Sequence, residues 1–227
     1  MKHLNIFGLR RVGNHAIIEW IARHFKHTKH LNDCWGWPVP NSNWSTKEYG
    51  ELSLPIDLII QSYEDFEPSI QEVEDSNTIL LLRDWYNMAA SRHVSRRGYG
   101  NTARSRHKAS YNRSVSEVWI KYAELYEQYP EKFILFNKWT VDEEYRKEVS
   151  KRFSFPGNAE YVNKLPESKI GAGSSFKDQE LDPEKVSLRY RQLVEKDIRA
   201  YNDITGNTLI NGYCKRIFNI DVTKDND

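Results

Sequence analysis

Hydrophobic runs of strand length alternate along the chain with stretches of helical periodicity. Residues 78–84, TILLLRD, form a continuous apolar run that ends in two charges, and residues 56–63, IDLIIQSY, form a second run. A short run without polar alternation is typical of a strand buried on both faces, as in parallel sheets. The sequence therefore predicts an α/β fold in three layers, with helices flanking a central, mainly parallel sheet.

The other predicted elements continue this alternation. Strands are expected at residues 2–9 and 133–139, and Ser114 with Glu117 forms a capping box before a helix at 118–129. Further helices are expected at residues 15–25, 85–95 and from Asp182 to Thr205, and loops at 33–49 and 96–113. The length suits a single domain over residues 1–227, with a frayed tail at about 222–227.

Charge and cysteine usage exclude several classes of protein. The 33 basic and 32 acidic residues nearly cancel, so net charge gives no reason to expect DNA binding, and any anion site must be local. No apolar run approaches the roughly 20 residues that span a bilayer, and no signal peptide is recognisable, so a cytoplasmic location is expected. Cys34 and Cys214 match no metal-ligand spacing, and we expect free thiols.

A glycine loop, GLRRVGNH at residues 8–15, lies between the first predicted strand and helix. Its glycine spacing is that of a P-loop, whose backbone N–H groups hold phosphate at a helix N-terminus. Asn14 replaces the P-loop lysine and His15 the hydroxyl residue that holds Mg²⁺, which argues against ATP or GTP hydrolysis. The loop predicts a metal-independent anion site beside Arg11 and Arg10; an ordinary strand-turn-helix corner is the alternative.

A second basic motif follows the third predicted strand. Arg83 ends the strand, and Ser91 follows eight residues later, about two turns along the next helix. In a parallel sheet this places Arg83 at the carboxyl edge that also carries the glycine loop. Arg83 and Ser91 could hold a second phosphate. Alternatively, Arg83 and Asp84 form only a salt bridge at the strand end.

The two motifs together resemble those of sulfotransferases that use 3′-phosphoadenosine 5′-phosphosulfate (PAPS). In that family a basic-small-Gly-Thr-Thr loop binds the 5′-phosphosulfate, and an Arg with a Ser eight positions on binds the 3′-phosphate. RVGNH, residues 11–15, departs from the first motif by having Val12 without a hydroxyl, and Asn14 and His15 in place of the threonines. The resemblance implies a P-loop-like fold and a cofactor site formed by Arg10, Arg11, Val12, Gly13, Asn14, His15, Ala16, Arg83 and Ser91.

A later block, KIGAGSSFK at residues 169–177, resembles the family's loop over the 3′-phosphate and adenine. It adds Gly171, Ala172, Gly173 and Ser174 to the expected cofactor site. A glycine-serine surface loop is the alternative. The expected product is adenosine 3′,5′-bisphosphate, and no metal is required.

Sulfuryl transfer passes a group in line between two oxygens, so the protein mainly positions the reactants and stabilises charge. Arg11 is expected to stabilise the departing phosphate. For the general base we favour Glu64, at the end of the second predicted strand, over His15; Asp33 and His93 are further candidates. The acceptor is expected to be a hydroxyl or amine of a carbohydrate or small molecule.

Two other functions are compatible with these residues. A P-loop kinase would bind ATP with Mg²⁺, and a noncatalytic RNA-binding module would use basic and aromatic side chains. Such side chains occur in the two predicted loops, at Arg96, Arg97, Arg104, Arg106, Lys108 and Arg113, and at Trp35, Trp37 and Trp44. The basic loop, which we expect to be mobile, could equally receive an anionic acceptor or close over the nucleotide, and the tryptophans could stack on an acceptor.

Overall fold

A computed structural model describes residues 1–32, 34, 46–94, 114–156, 190–191 and 197–222. Within these residues one sheet contains the strands β1 (Lys2–Gly8), β2 (His27–Leu31), β3 (Thr46–Gly50), β4 (Leu58–Glu64), β5 (Thr78–Leu82) and β6 (Phe133–Leu135). The helices are α1 (Asn14–Ala22), α2 (Ile70–Glu74), α3 (Trp85–Val94), α4 (Val115–Gln128), α5 (Phe136–Val141), α6 (Glu143–Arg152), α7 (Ile198–Thr205) and α8 (Thr208–Phe218), with a short 3₁₀ turn at Pro130–Lys132.

The six strands lie in the order β3-β2-β4-β1-β5-β6. All neighbours are parallel except β2 and β3, which are antiparallel. From β1 the chain continues to β2, towards one edge of the sheet, whereas from β5 it continues to β6, at the opposite edge. The carboxyl ends of β1 and β5 therefore flank a topological switch point, where open α/β sheets bind ligands.

Helices cover both faces of the sheet. On one face, the His15 ring of α1 lies edge-on to the His30 ring of β2, with ring centroids 6.2 Å apart. On the other face, Phe7 of β1 stacks on Tyr63 of β4. Tyr122 of α4 packs against Phe133 of β6 on this same face. The predicted α/β class with a mainly parallel sheet flanked by helices is confirmed.

The core is formed by the predicted apolar runs. All five residues of β5 are buried, and Ile17, Ile18 and Ile21 of α1 have no exposed surface. Burying an aliphatic side chain of this size stabilises the fold by about 1.5–3 kcal/mol. The predicted capping box before α4 is also present, because Ser114 Oγ accepts a 3.3 Å hydrogen bond from the Glu117 N–H.

Two sequence predictions about strands and loops are wrong. The fourth strand ends at Leu135, because residues 136–141 turn into α5. Asn137 in this helix bonds to Asp84 through both its amide oxygen, at 3.1 Å from the Asp84 N, and its amide nitrogen, at 2.8 Å from Asp84 Oδ2. The expected loop at 33–49 ends instead in β3, which pairs with β2 along its whole length.

The sequence analysis also did not identify β2, α2, α6 or α8. β2 is polar, yet it pairs with β4 on one side and with β3 on the other. The helix predicted from Asp182 to Thr205 is not continuous, because Asp197 has a non-helical backbone and caps α7, which begins at Ile198 and ends at Thr205. Asn207 then caps α8 by accepting hydrogen bonds from Leu209 and Ile210.

Some predictions fall outside the described residues. They concern the loop at 96–113, most of the loop at 33–49, the block at 169–177 and the helix start at Asp182. Val222, at the start of the tail expected to fray, is buried. Cys34 and Cys214 are both buried and are not joined in a disulfide, in agreement with the predicted thiols. Within the described ranges, no helix is long and apolar enough to cross a bilayer.

Candidate functional site

The glycine loop between β1 and α1 has two residues in the left-handed backbone region. Arg11 has φ 76° and Gly13 has φ 98°. A Cβ atom on Gly13 would overlap the ring of Phe136, so glycine is required both for its backbone angle and for space. A non-glycine residue at positive φ is strained and persists only where the surrounding structure holds it, often at functional sites. The backbone angle of Arg11 therefore makes it a candidate functional residue.

Gly13 is also the residue before α1, and it has no side chain to cap the helix. The carbonyl oxygen of Gly13 accepts hydrogen bonds of 3.1 Å from the N–H groups of Ala16 and Ile17. The Val12 N–H donates to the Leu9 carbonyl at 3.3 Å, and the Val12 side chain is fully buried. The N–H groups of Val12 and Ala16 thus donate to carbonyls of the loop and the first helical turn. The positive end of the helix dipole lies at Gly13 and Asn14.

Arg83 touches this loop from the end of β5. Its Nη1 donates a 3.1 Å hydrogen bond to the Arg11 carbonyl oxygen, and its guanidinium lies 4.9 Å above the centroid of the Phe136 ring. Arg83 is 2% exposed. Its Nε is 4.0 Å from Asp84, whose carboxylate instead accepts 2.9 Å bonds from the backbone and side chain of Asn87. Arg83 therefore lies at the same edge of the sheet as the glycine loop, as predicted.

Ser91 lies on α3 and is also buried, at 2% exposed. His93, a lesser candidate for the base, pairs with Asp197 at 3.1 Å, where Asp197 caps α7. Asp33 and the block Gly171, Ala172, Gly173 and Ser174 lie outside the described residues.

Glu64 ends β4 beside the loop and is surrounded by nitrogen donors. Its Oε2 accepts a 3.0 Å hydrogen bond from Arg10 Nε, and its Oε1 accepts one of 3.2 Å from Asn14 Nδ2. His15 Nε2 lies 3.5 Å from the same Oε1. Both oxygens of this carboxylate are thus engaged by side chains of residues 8–15.

Burial is the main cause that lowers the pKa of His15 below its usual value, and the negative charge of Glu64 opposes this effect. His15 is therefore neutral at neutral pH, with its side chain 28% exposed. A neutral imidazole that reaches solvent beside a carboxylate can accept a proton from a substrate hydroxyl.

Sequence reasoning missed a polar chain behind His15. His30 Nε2 is 2.9 Å from Ser62 Oγ, which donates to Asn32 Oδ1 at 3.3 Å. Burial is the main cause that lowers the pKa of His30 to about 3, and the charge that His15 acquires on protonation and the charge of Lys47 add to this effect. His30 was missed because β2 was not recognised as a strand.

Sequence reasoning also missed Asp65 and Arg92, which form a buried bidentate pair with N–O distances of 2.8 and 3.3 Å. A charged residue directly after a buried strand could have drawn attention to Asp65, whereas nothing local links it to Arg92. Among the described side chains, no group of three or more His, Cys, Asp or Glu residues is arranged to hold a metal ion.

Comparison of the chain with protein families, with curated proteins and with solved structures finds no match. Its function is therefore inferred from the chemistry of its own residues.

Proposed function

We propose that this chain is a sulfotransferase with a P-loop-like fold, which transfers a sulfuryl group from PAPS to a hydroxyl or amine acceptor. The hydrogen bond between Arg83 and the Arg11 carbonyl is the observation that carries the proposal. It joins the two sequence motifs that resemble the binding elements for the two ends of PAPS. Both lie at the switch point between β1 and β5, where a nucleotide can contact both strand ends.

The glycine loop would hold the 5′-phosphosulfate. The N-terminus of α1 favours negative charge, and Arg11 supplies a permanent positive charge next to it. During transfer, the bond between sulfur and the bridging oxygen breaks while the acceptor oxygen or nitrogen bonds to sulfur, and negative charge develops on the 5′-phosphate. Stabilisation of this charge by a fixed guanidinium and fixed dipoles lowers the barrier.

Arg83 and Ser91 would hold the 3′-phosphate. A guanidinium carries five N–H groups in a fixed fork, so one side chain can hold a loop carbonyl and a phosphate oxygen together. Because Arg83 is buried, charge-assisted hydrogen bonds that it makes are stronger than bonds at the protein surface.

The contacts of Glu64 favour His15 as the proton acceptor. Both carboxylate oxygens of Glu64 already accept hydrogen bonds, Oε2 from Arg10 and Oε1 from Asn14, so they are less available to a substrate hydroxyl. His15 is neutral and partly exposed, and Glu64 can stabilise the imidazolium that forms. We therefore assign proton transfer to His15 and its orientation to Glu64, which reverses the preference drawn from the sequence.

A P-loop kinase is the second candidate, because the carboxylates of Glu64 and Asp65 lie beside the glycine loop. Arg10 and Arg92 pair with these carboxylates, however, and the loop lacks the lysine and hydroxyl residue that serve ATP and Mg²⁺. The basic residues on which RNA binding would depend lie outside the described part of the chain.

Calorimetric titration separates these functions. Adenosine 3′,5′-bisphosphate is expected to bind equally well with EDTA and with Mg²⁺, and more tightly than ATP. Binding of ATP that is lost on chelation would support the kinase, and absence of bisphosphate binding would refute the sulfotransferase. Binding of single-stranded RNA that weakens steeply with salt and survives loss of Arg83 would support the RNA-binding module. Transfer of labelled sulfuryl groups from PAPS to a panel of sugars, phenols and amines then tests the reaction itself.

A further inference from the structure

Asp65, the residue after β4, is bonded to the glycine loop through both its backbone and its side chain. Its N–H donates to the Gly8 carbonyl at 3.0 Å, and its Oδ1 accepts a 2.9 Å hydrogen bond from the Arg10 N–H. Asp65 itself has φ 58°, a left-handed conformation that is uncommon for residues other than glycine. This backbone angle and these two bonds fix where the loop leaves β1.

The same carboxylate holds α3. Arg92 Nη1 bonds to Asp65 Oδ1 at 2.8 Å and Nη2 to Oδ2 at 3.3 Å, while Arg92 Nη1 also reaches the Arg10 carbonyl at 3.4 Å. The side chains of Arg92 and Asp65 are only 4% and 5% exposed. A bidentate pair has a fixed relative orientation, and at this burial it is little screened by solvent.

The sequence positions of these contacts give them a functional meaning. Arg10 immediately precedes Arg11, and Arg92 immediately follows Ser91. The two proposed phosphate-binding elements are thus connected, each through a direct neighbour of a proposed ligand, to one carboxylate. Asp65 thus joins the loop to α3 and is not itself a residue proposed to touch phosphate.

We propose that Asp65 and Arg92 are positioning residues that set the separation between the glycine loop and α3, and hence the spacing of the two phosphate subsites. The separation follows from the contacts alone, whereas its effect on ligand spacing rests on the proposed function. A ligand with two phosphates depends on this spacing. A ligand with one phosphate uses a single subsite, so its affinity does not depend on this spacing.

The mechanical part is tested without ligand, by hydrogen exchange of the wild type, Asp65→Asn and Arg92→Lys. In Asp65→Asn, amides at residues 8–13 and in α3 should exchange about tenfold faster or more, because the amide has one acceptor oxygen and its NH₂ group would face a guanidinium N–H. Arg92→Lys keeps the charge but not the fork, so it should have a smaller effect of the same kind. The control is Glu127→Gln, which removes the exposed 2.8 Å pair with Arg216 and should leave both segments unchanged. The proposal is overturned if amides at residues 8–13 exchange at the wild-type rate in both variants. If Asp65→Asn does not fold, the exchange rate of these amides in Arg92→Lys alone tests the proposal.

The spacing part is tested by titrating adenosine 3′,5′-bisphosphate, 5′-AMP and 3′-AMP. Asp65→Asn should weaken the bisphosphate about tenfold more than it weakens either monophosphate. Equal weakening of all three would show that Asp65 supports the fold without setting the spacing. If the wild type does not bind the bisphosphate, the proposed function fails, while the exchange measurement still decides whether Asp65 positions the loop.

Discussion

Arg83 Nη1 donates a 3.1 Å hydrogen bond to the Arg11 carbonyl oxygen, which connects the end of β5 to the glycine loop. The Phe136 ring lies against both the guanidinium of Arg83 and the backbone of Gly13. The loop is consequently supported from below by residues that directly follow β5 and β6. This support explains how Arg11 is held at φ 76° although it is not a glycine.

Replacing Arg83 with lysine tests this support together with the phosphate site. Lysine keeps the charge but has neither the planar fork nor the flat surface that lies over Phe136. Affinity for adenosine 3′,5′-bisphosphate should fall by about tenfold or more, as measured by calorimetry. Arg152→Lys is the matched control, since Arg152 also lies over a phenylalanine ring, at 5.3 Å from Phe153. Wild-type affinity in Arg83→Lys would exclude Arg83 from the site.

Gly13→Ala should destabilise the protein. The substitution puts a Cβ on a residue with φ 98° and into the Phe136 ring, and the expected loss of unfolding free energy is about 2–5 kcal/mol. Urea denaturation measures this loss. Gly212→Ala is the control, because a Cβ there meets only Arg216 Nη1 at 3.4 Å within α8, and a stabilisation of about 0.5–1 kcal/mol is expected. Equal stability of the two variants would contradict the proposed packing.

Substitutions at His15 and Glu64 distinguish the base from its partner. His15→Asn should lower sulfuryl transfer by on the order of 100-fold, measured with any acceptor that the wild type accepts from the panel. Glu64→Gln should have a smaller effect and should move the acidic limb of the pH-rate profile to lower pH, because Glu64 raises the pKa of His15. His93→Asn is the control. An active His15→Asn variant together with an inactive Glu64→Gln variant would return the base to Glu64.

Stability should depend on pH through His30. The unfolded chain protonates His30 near pH 6.5, whereas the folded chain does so only near the lowered pKa of about 3. Folding therefore loses stability as pH falls through this window, with a slope from this residue of up to about 1.4 kcal/mol per pH unit. His30→Gln should flatten the slope in urea unfolding between pH 6.5 and 4, and His3→Gln, at an exposed position, should not. An unchanged slope in His30→Gln would contradict the assigned burial of a neutral imidazole.

The sequence predicts the elements whose pattern is local. The runs ending at Tyr63 and Asp84 are apolar enough to identify β4 and β5, and the glycines place the loop between β1 and α1. β2 could not be predicted in this way, because HTKHL has no apolar alternation and is stabilised by its pairing with β3 and β4. Phe136 and Trp139 continue an apolar pattern after β6, so the change to a helix at α5 is decided by tertiary contacts.

The residues of the candidate site likewise fall into those identified from local sequence and those that depend on tertiary packing. Arg83, Glu64 and His15 were found because each stands at the end of an element predicted from sequence. Asp65 and Arg92 are 27 residues apart, so their pairing depends on how α3 packs over the sheet. The burial of Arg83 under the loop was equally unpredictable, because it requires the ring of Phe136 from a distant element.

The position of Phe136 has a consequence for biosynthesis. The ring beneath Gly13 is supplied 123 residues later in the chain (136 − 13 = 123). A nascent chain can form β1, α1 and β4 early, but we expect its glycine loop to lack support until residue 136 has left the ribosome. Ligand competence is thus expected only after β6 and the start of α5 have emerged.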